Sequence, residues 1–131
     1  MSKNHSPALI RIFGFSIPLF IAHGLEEYFN NFYNIDSHSK FLLKPFLGVA
    51  DYQASFLVFQ ISFWILLILV FLFNRNLPKW LTVAIGLVYV YEIHHIIKAI
   101  EFGGYYPGLI TALGFPIVAY FYWREFIRLP K

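Results

Sequence analysis

The stretch Phe56-Leu-Val-Phe-Gln-Ile-Ser-Phe-Trp-Ile-Leu-Leu-Ile-Leu-Val-Phe-Leu-Phe73 contains nothing more polar than Gln60 and Ser62. A helix needs about 20 such residues to cross ~30 Å of hydrocarbon. Asn74-Arg-Asn-Leu-Pro78 stops the run, and Pro78 with Trp80 opens the next helix at an interface. Reading outward gives three further apolar runs, so four helices are expected at about residues 8–30, 53–74, 80–101 and 107–127. Gly103-Gly104 closes the third and Pro107 begins the fourth. The expected fold is all-α: a single-domain integral-membrane four-helix bundle over residues 1–131.

Composition agrees with this class. Of 131 residues, 59% are hydrophobic and 13% are charged, against about 25% charged in a soluble domain. No cysteine is present, which excludes disulfides and thiolate metal sites. The net charge of +3 does not point to nucleic acid, because the basic residues sit in short loops and tails with no basic face. Lys3, Arg11, Arg75, Lys79, Arg124, Arg128 and Lys131 fall on one side, and Lys40, Lys44 and Lys98 on the other. The positive-inside rule then puts both termini in the cytoplasm of a multi-pass cell-membrane protein. Arg11, the apolar run after it and Ala22-His23-Gly24 imitate a signal peptide. Histidine is awkward between the small residues of a cleavage site, and cutting there would split the motif described next. The longest connection, residues 31–51, carries an apolar and basic segment at 41–47 that suits an interface.

Two stretches do not belong in apolar helices: His23-Gly-Leu-Glu26-Glu27, and Glu92 with His94, His95 and Lys98. At ~1.5 Å per residue, His23 lies roughly 18 Å from Arg11, and Glu92 and His95 roughly 18 to 22 Å from Trp80. Gln60 and Ser62, measured from Arg75, and Thr111, measured from Arg124, fall at roughly 20 to 22 Å. All four helices thus place polar groups at a common depth in the outer half of the bilayer. His23, Glu26 and Glu27 share a face at i, i+3, i+4, and Glu92 and His95 share one at i, i+3. His94 points about 100° away, toward Lys98 and Glu101. A mid-helix charge costs about 2.5–3.5 kcal/mol on insertion scales, so this group must pair, share protons or bind a cation.

The expected metal ligands are His23, Glu26, Glu27, Glu92 and His95, a set that suits divalent iron, manganese or zinc. Glu-x-x-His is a spacing used by carboxylate bundles, although here one pair runs in reverse order and no bridging glutamate comes from the other helices. Without metal, Glu27, Glu92 and His94 are candidate acids and bases for moving a double bond or opening a ring. Gln60, Tyr105 and Thr111 are expected to line a substrate pocket. The partner is a membrane lipid or hydrophobic small molecule, and the activity is enzymatic; a proton or metal carrier is the rival. Tyr105-Tyr106 and Trp123 read as aromatic-belt residues, and His5 and His38 as solvated ones. Gly108 allows close backbone approach.

These residues resemble a known family. His23-Gly-Leu-Glu26-Glu27, followed by His95 and Tyr106-Pro107-Gly108-Leu-Ile-Thr111, is similar to the HXXEE-domain proteins, small multi-pass bacterial membrane proteins named for that motif. Tyr105 keeps the family spacing ahead of Pro107 and is its counterpart. The resemblance implies the site but no reaction. A looser likeness, to the sterol-isomerase group of four-helix membrane proteins, is architectural only.

Overall fold

The computed structural model describes residues 7–46, 51–73 and 77–129. Lys3, His5, Leu47, Arg75 and Lys131, which entered the expectations above, lie outside them. Among the described residues the chain is helical without strands. The elements are α1 (Pro7–Phe29), α2 (Phe32–Ile35), α3 (Ser37–Leu43), a 3₁₀ turn (Lys44–Phe46), α4 (Tyr52–Phe73), α5 (Lys79–Tyr91), α6 (His94–Phe102), α7 (Leu109–Ala112) and α8 (Phe115–Ile127). Three helical stretches, Pro7–Phe29, Tyr52–Phe73 and the α5–α6 rod Lys79–Phe102, are long and apolar enough to cross a membrane.

The third stretch is one rod with a tightened turn at its centre. Ile93 N–H donates to Val90 O at 3.2 Å, His95 N–H to Glu92 O at 3.3 Å, and Ile96 N–H to Ile93 O at 3.0 Å. These three-residue closures are 3₁₀ geometry, in which side chains at i and i+3 eclipse. The turn therefore stacks Glu92 directly over His95. The rod ends at Gly103, with φ +72, where Gly104 N–H reaches back to Ala99 O at 3.1 Å; this is a Schellman closure. The fourth expected helix is divided at Leu113–Gly114. Pro116 lies in the first turn of α8, where its missing N–H costs nothing.

The connection after α1 folds back as two short helices. Asn30 Nδ2 caps α1 at Glu26 O (2.8 Å), and Asn31 turns the chain with φ 58. Asp36 Oδ1 accepts from Ser39 N–H at 2.7 Å and so caps α3. Phe41 and Leu42 stay exposed.

α1 is the hub, packing on α4, α7 and α8, while α5 packs chiefly on α8. Phe20 fits between Tyr89 and Phe115, with ring centroids 5.6 and 4.9 Å away. Polar atoms in this core are paired: Ser16 Oγ with Tyr89 OH at 2.7 Å, and Tyr122 OH donating to Thr82 O at 3.0 Å. On α4 the pattern is reversed. Val58, Ile61, Ile65, Leu66, Ile68, Leu69, Leu72 and Phe73 all face outward. Monomeric soluble proteins rarely expose so large a contiguous apolar surface. Ser62 also faces outward, whereas Gln60 is buried.

Candidate functional site

Four ionisable side chains from α1 and the α5–α6 rod converge. His23 Nε2 lies 3.2 Å from His95 Nε2 and 3.1 Å from Glu92 Oε2. His95 Nε2 lies 3.6 Å from that same oxygen and 3.2 Å from Glu27 Oε1. Glu27 Oε1 is 3.7 Å from His23 Nε2, and Glu27 Oε2 accepts from Gln60 Nε2 at 2.8 Å. His95 is fully buried, and His23 and Glu27 nearly so.

The outer nitrogens of the imidazoles fix their tautomers. His95 Nδ1 faces Pro107 O at 2.7 Å; a carbonyl only accepts, so Nδ1 carries the proton. His23 Nδ1 lies 2.8 Å from Thr111 Oγ1, whose own proton goes to Glu26 Oε2 at 2.6 Å. The hydroxyl must therefore accept from His23 Nδ1–H. Both Nε2 lone pairs then point into a gap of 3.2 Å, an arrangement that needs a proton or a cation between them. A carbonyl or hydroxyl behind each ring is also the usual support of a metal-ligating histidine.

His23, Glu92 and His95 are the set that could hold a metal ion. Their ligand atoms are 3.1, 3.2 and 3.6 Å apart. A tetrahedral ion with bonds of 2.0–2.1 Å separates its ligands by about 3.3 Å, so the donors fit a divalent ion of nitrogen and oxygen preference. Glu27 reaches the same two nitrogens from α1.

Glu26 does not join them, which corrects its expected role as a ligand. Its Oε1 accepts from Tyr105 OH (2.7 Å) and Ile110 N–H (3.0 Å). Its Oε2 accepts from Thr111 N–H (2.8 Å) and Thr111 Oγ1 (2.6 Å). Burial, and then the Glu26 carboxylate, push the Tyr105 phenol up to about 12, so Tyr105 stays a donor. Consecutive residues on a helix diverge by 100°; Glu27 faces the cluster while Glu26 faces α7, one hydroxyl removed from His23. Tyr105 and Thr111 consequently stand behind the cluster and do not line the cavity.

The cavity measures about 470 Å³ and lies between α1, α4 and the α5–α6 rod, under α2 and α3. Phe20, Phe32, Phe56, Phe59, Phe63 and Val88 make it apolar; His23, Glu27, Gln60, Glu92 and His95 form its polar wall. His94 also lines it, 4.0 Å ring to ring from His95, with Nδ1 donating to Tyr91 O at 2.9 Å. His38, expected to be solvated, has a 72% exposed side chain and belongs to the cavity mouth. Lys98 pairs with Glu101 at 3.0 Å, outside the site.

Three contributors escaped the sequence reading. Asp36 is buried, lines the cavity and accepts from Tyr106 OH at 2.9 Å; Asp36-Ser-His-Ser39 is a helix-start pattern that could have flagged it. Tyr106 is buried rather than a belt residue, because Asp36 holds its hydroxyl inside. The Pro107 carbonyl, a backbone group, left no signal. Gly108 does permit close approach: a Cβ there would stand 2.7 Å from both His23 Cε1 and His95 Nδ1.

The chain matches, over residues 15–122, the family described as "Protein of unknown function with HXXEE motif". No curated protein and no solved structure matches it. The match spans most of the chain, so the protein belongs to the HXXEE family.

Proposed function

We propose that this HXXEE-family protein is an integral-membrane enzyme that uses a divalent metal held by His23, Glu92 and His95 on a lipid or isoprenoid-like substrate. In this reading α1, α4, α5–α6 and α7–α8 are the four passes of a bundle in the cell membrane, with both termini cytoplasmic. The outward apolar face of α4 and the lysine and arginine asymmetry support that placement.

One observation carries the function: the imidazole and carboxylate set forms a polar wall of a largely apolar cavity of about 470 Å³. That size and lining are typical of small-molecule sites. Iron, manganese or zinc would supply Lewis acidity toward a substrate oxygen or bound water. The chain's own parts have separate tasks. Glu27, oriented by Gln60, takes or gives a proton; Thr111 and the Pro107 carbonyl hold the imidazoles in the ligating tautomer; the phenylalanines exclude water.

A metal-free acid and base pair is the second reading, favoured by the 3.2 Å between the two imidazole nitrogens, which is also the span of one shared proton. A proton or metal carrier needs a polar path to both faces. Against it, Phe13, Phe20 and Phe115 fill the core beyond the cluster, and Ser16 and Tyr89 there bond to each other.

The test is turnover. Purified protein incubated with total membrane lipid and each metal is followed by mass spectrometry beside Glu27→Gln. Consumption of one lipid class by wild type, with Glu27→Gln retaining metal but losing turnover, is expected. Ion flux in liposomes without change in any lipid would replace the enzyme with a carrier.

A further inference from the structure

The packing of the helices leaves the cavity open on one side. α4 packs on α1, α2 and α3, whereas the α5–α6 rod packs on α8 and α7. The cavity fills the strip between α4 and the rod, with α1 behind it and α3 above. Three of its lining residues keep much of their surface uncovered: Leu42 on α3 (60%), Phe59 on α4 (53%) and Tyr91 on the rod (57%). They mark the rim of the opening. Phe59 stacks on Phe63, with the rings within 2° of parallel, so the α4 rim continues inward as an aromatic wall.

The surface around this rim is apolar. Val58 and Ile61 on α4, and Leu87 and Val90 on the rod, face outward beside it. At ~1.5 Å per residue, Tyr91 lies roughly 18 Å along the rod from Lys79, and Phe59 roughly 21 Å along α4 from Phe73. Both rims therefore stand at one level, inside the ~30 Å of hydrocarbon that these long apolar stretches would cross. The upper edge is polar, with Asp36 and the exposed His38 on the α3 side. A bilayer lipid meets this arrangement in its own orientation, polar head beside α3 and hydrocarbon along α4. Volume decides how much of it enters. Taking about 30 Å³ for a water-sized group, the cavity of about 470 Å³ holds about 16 such groups. A long-chain lipid exceeds that, and its tail loses nothing by staying among other acyl chains.

We infer that the slot between α4 and the α5–α6 rod is a lateral portal from the bilayer, and that the substrate is a long-chain lipid bound head inward. Its polar head reaches the His/Glu cluster, and its tail leaves between Phe59 and Tyr91 into the membrane. Phe59, Val88 and Tyr91 are positioning residues that set this direction. The inference rests on the membrane placement and lipid-like substrate proposed above, and adds the route and the orientation.

The test uses the full chain in phosphatidylcholine vesicles containing docosanol, whose chain is longer than the cavity holds. A photoactivated diazirine sits either beside the hydroxyl or at the methyl end, and a third sample receives diazirinyl butanol from the water phase. Labelled residues are mapped by peptide mass spectrometry, with metal content measured on the same samples. The hydroxyl-end probe labels the interior residues Phe20, Phe56 and Phe63, and the methyl-end probe does not. Val88→Trp narrows the slot and cuts interior labelling about tenfold, the scale of an overpacked contact. Leu87→Trp, on the outward face, labels like wild type. Interior labelling by the methyl-end probe equal to that by the hydroxyl-end probe overturns the inference, as does a folded Val88→Trp that labels like wild type. Should Val88→Trp melt early, the two docosanol probes on wild type decide alone. Interior labelling by diazirinyl butanol only overturns the portal and leaves the metal site standing. Interior labelling by no probe overturns the portal together with the lipid half of the proposed function. Hydroxyl-end labelling of metal-free protein supports the portal while removing the metal reading.

Discussion

Replacing Thr111 with valine keeps the side chain's shape and deletes one oxygen, and the effect should reach the metal site without touching a ligand. That oxygen accepts from His23 Nδ1 at 2.8 Å and donates to Glu26 Oε2 at 2.6 Å. In the valine variant the buried Nδ1–H has no acceptor, at a cost of about 1–3 kcal/mol. The ring can escape by moving its proton to Nε2, and that proton then occupies the ligating lone pair. Glu26 keeps Tyr105 OH, Ile110 N–H and Thr111 N–H, so α1 stays fastened to α7 and the fold survives. Loss of such a supporting group weakens metal binding about 10–100-fold, or about 1.4–2.7 kcal/mol. The assay is a competition titration against a chromophoric chelator in detergent, with Thr111→Ser as the rescue. A valine variant within about twofold of wild type, or a serine variant as weak as valine, would refute the relay.

Other outcomes follow from the same geometry. Gly108→Ala places a Cβ 2.7 Å from both His23 Cε1 and His95 Nδ1 at φ +87; it should lose about 1–3 kcal/mol and the bound metal together, read by thermal melting and elemental analysis. Tyr89→Phe leaves Ser16 Oγ its 2.7 Å bond to Phe13 O, so it should cost only about 0.5–1.5 kcal/mol in melting and leave metal binding intact. Reporter domains fused to either end should both be active in the cytoplasm; activity outside for either one would overturn the assigned orientation.

Much of the site was legible because ionisable groups in apolar helices are conspicuous. His23, Glu27, Glu92 and His95 stood out on energetic grounds, and helical spacing correctly paired Glu92 with His95. The same arithmetic misassigned Glu26. It measured Glu26 and Glu27 each against His23, yet the two diverge by 100°, and only packing decides which of them faces the cluster. Breaks inside the third and fourth helices were hidden for different reasons. The turn at Glu92 keeps right-handed helical angles and has no glycine or proline to announce it, whereas Gly114 and Pro116 do mark the division before α8. Asp36 was overlooked because an acid in a loop is ordinarily solvated; its burial depends on Tyr106, seventy residues away.

The central claim is that the two imidazoles and Glu92 share a cation. Elemental analysis of protein purified without added metal, beside His23→Ala and Glu92→Ala, tests it most directly. Near-stoichiometric iron, manganese or zinc in wild type, absent from both folded variants, is the predicted result. Folded wild type that is metal-free and takes up none of the three on titration would contradict it.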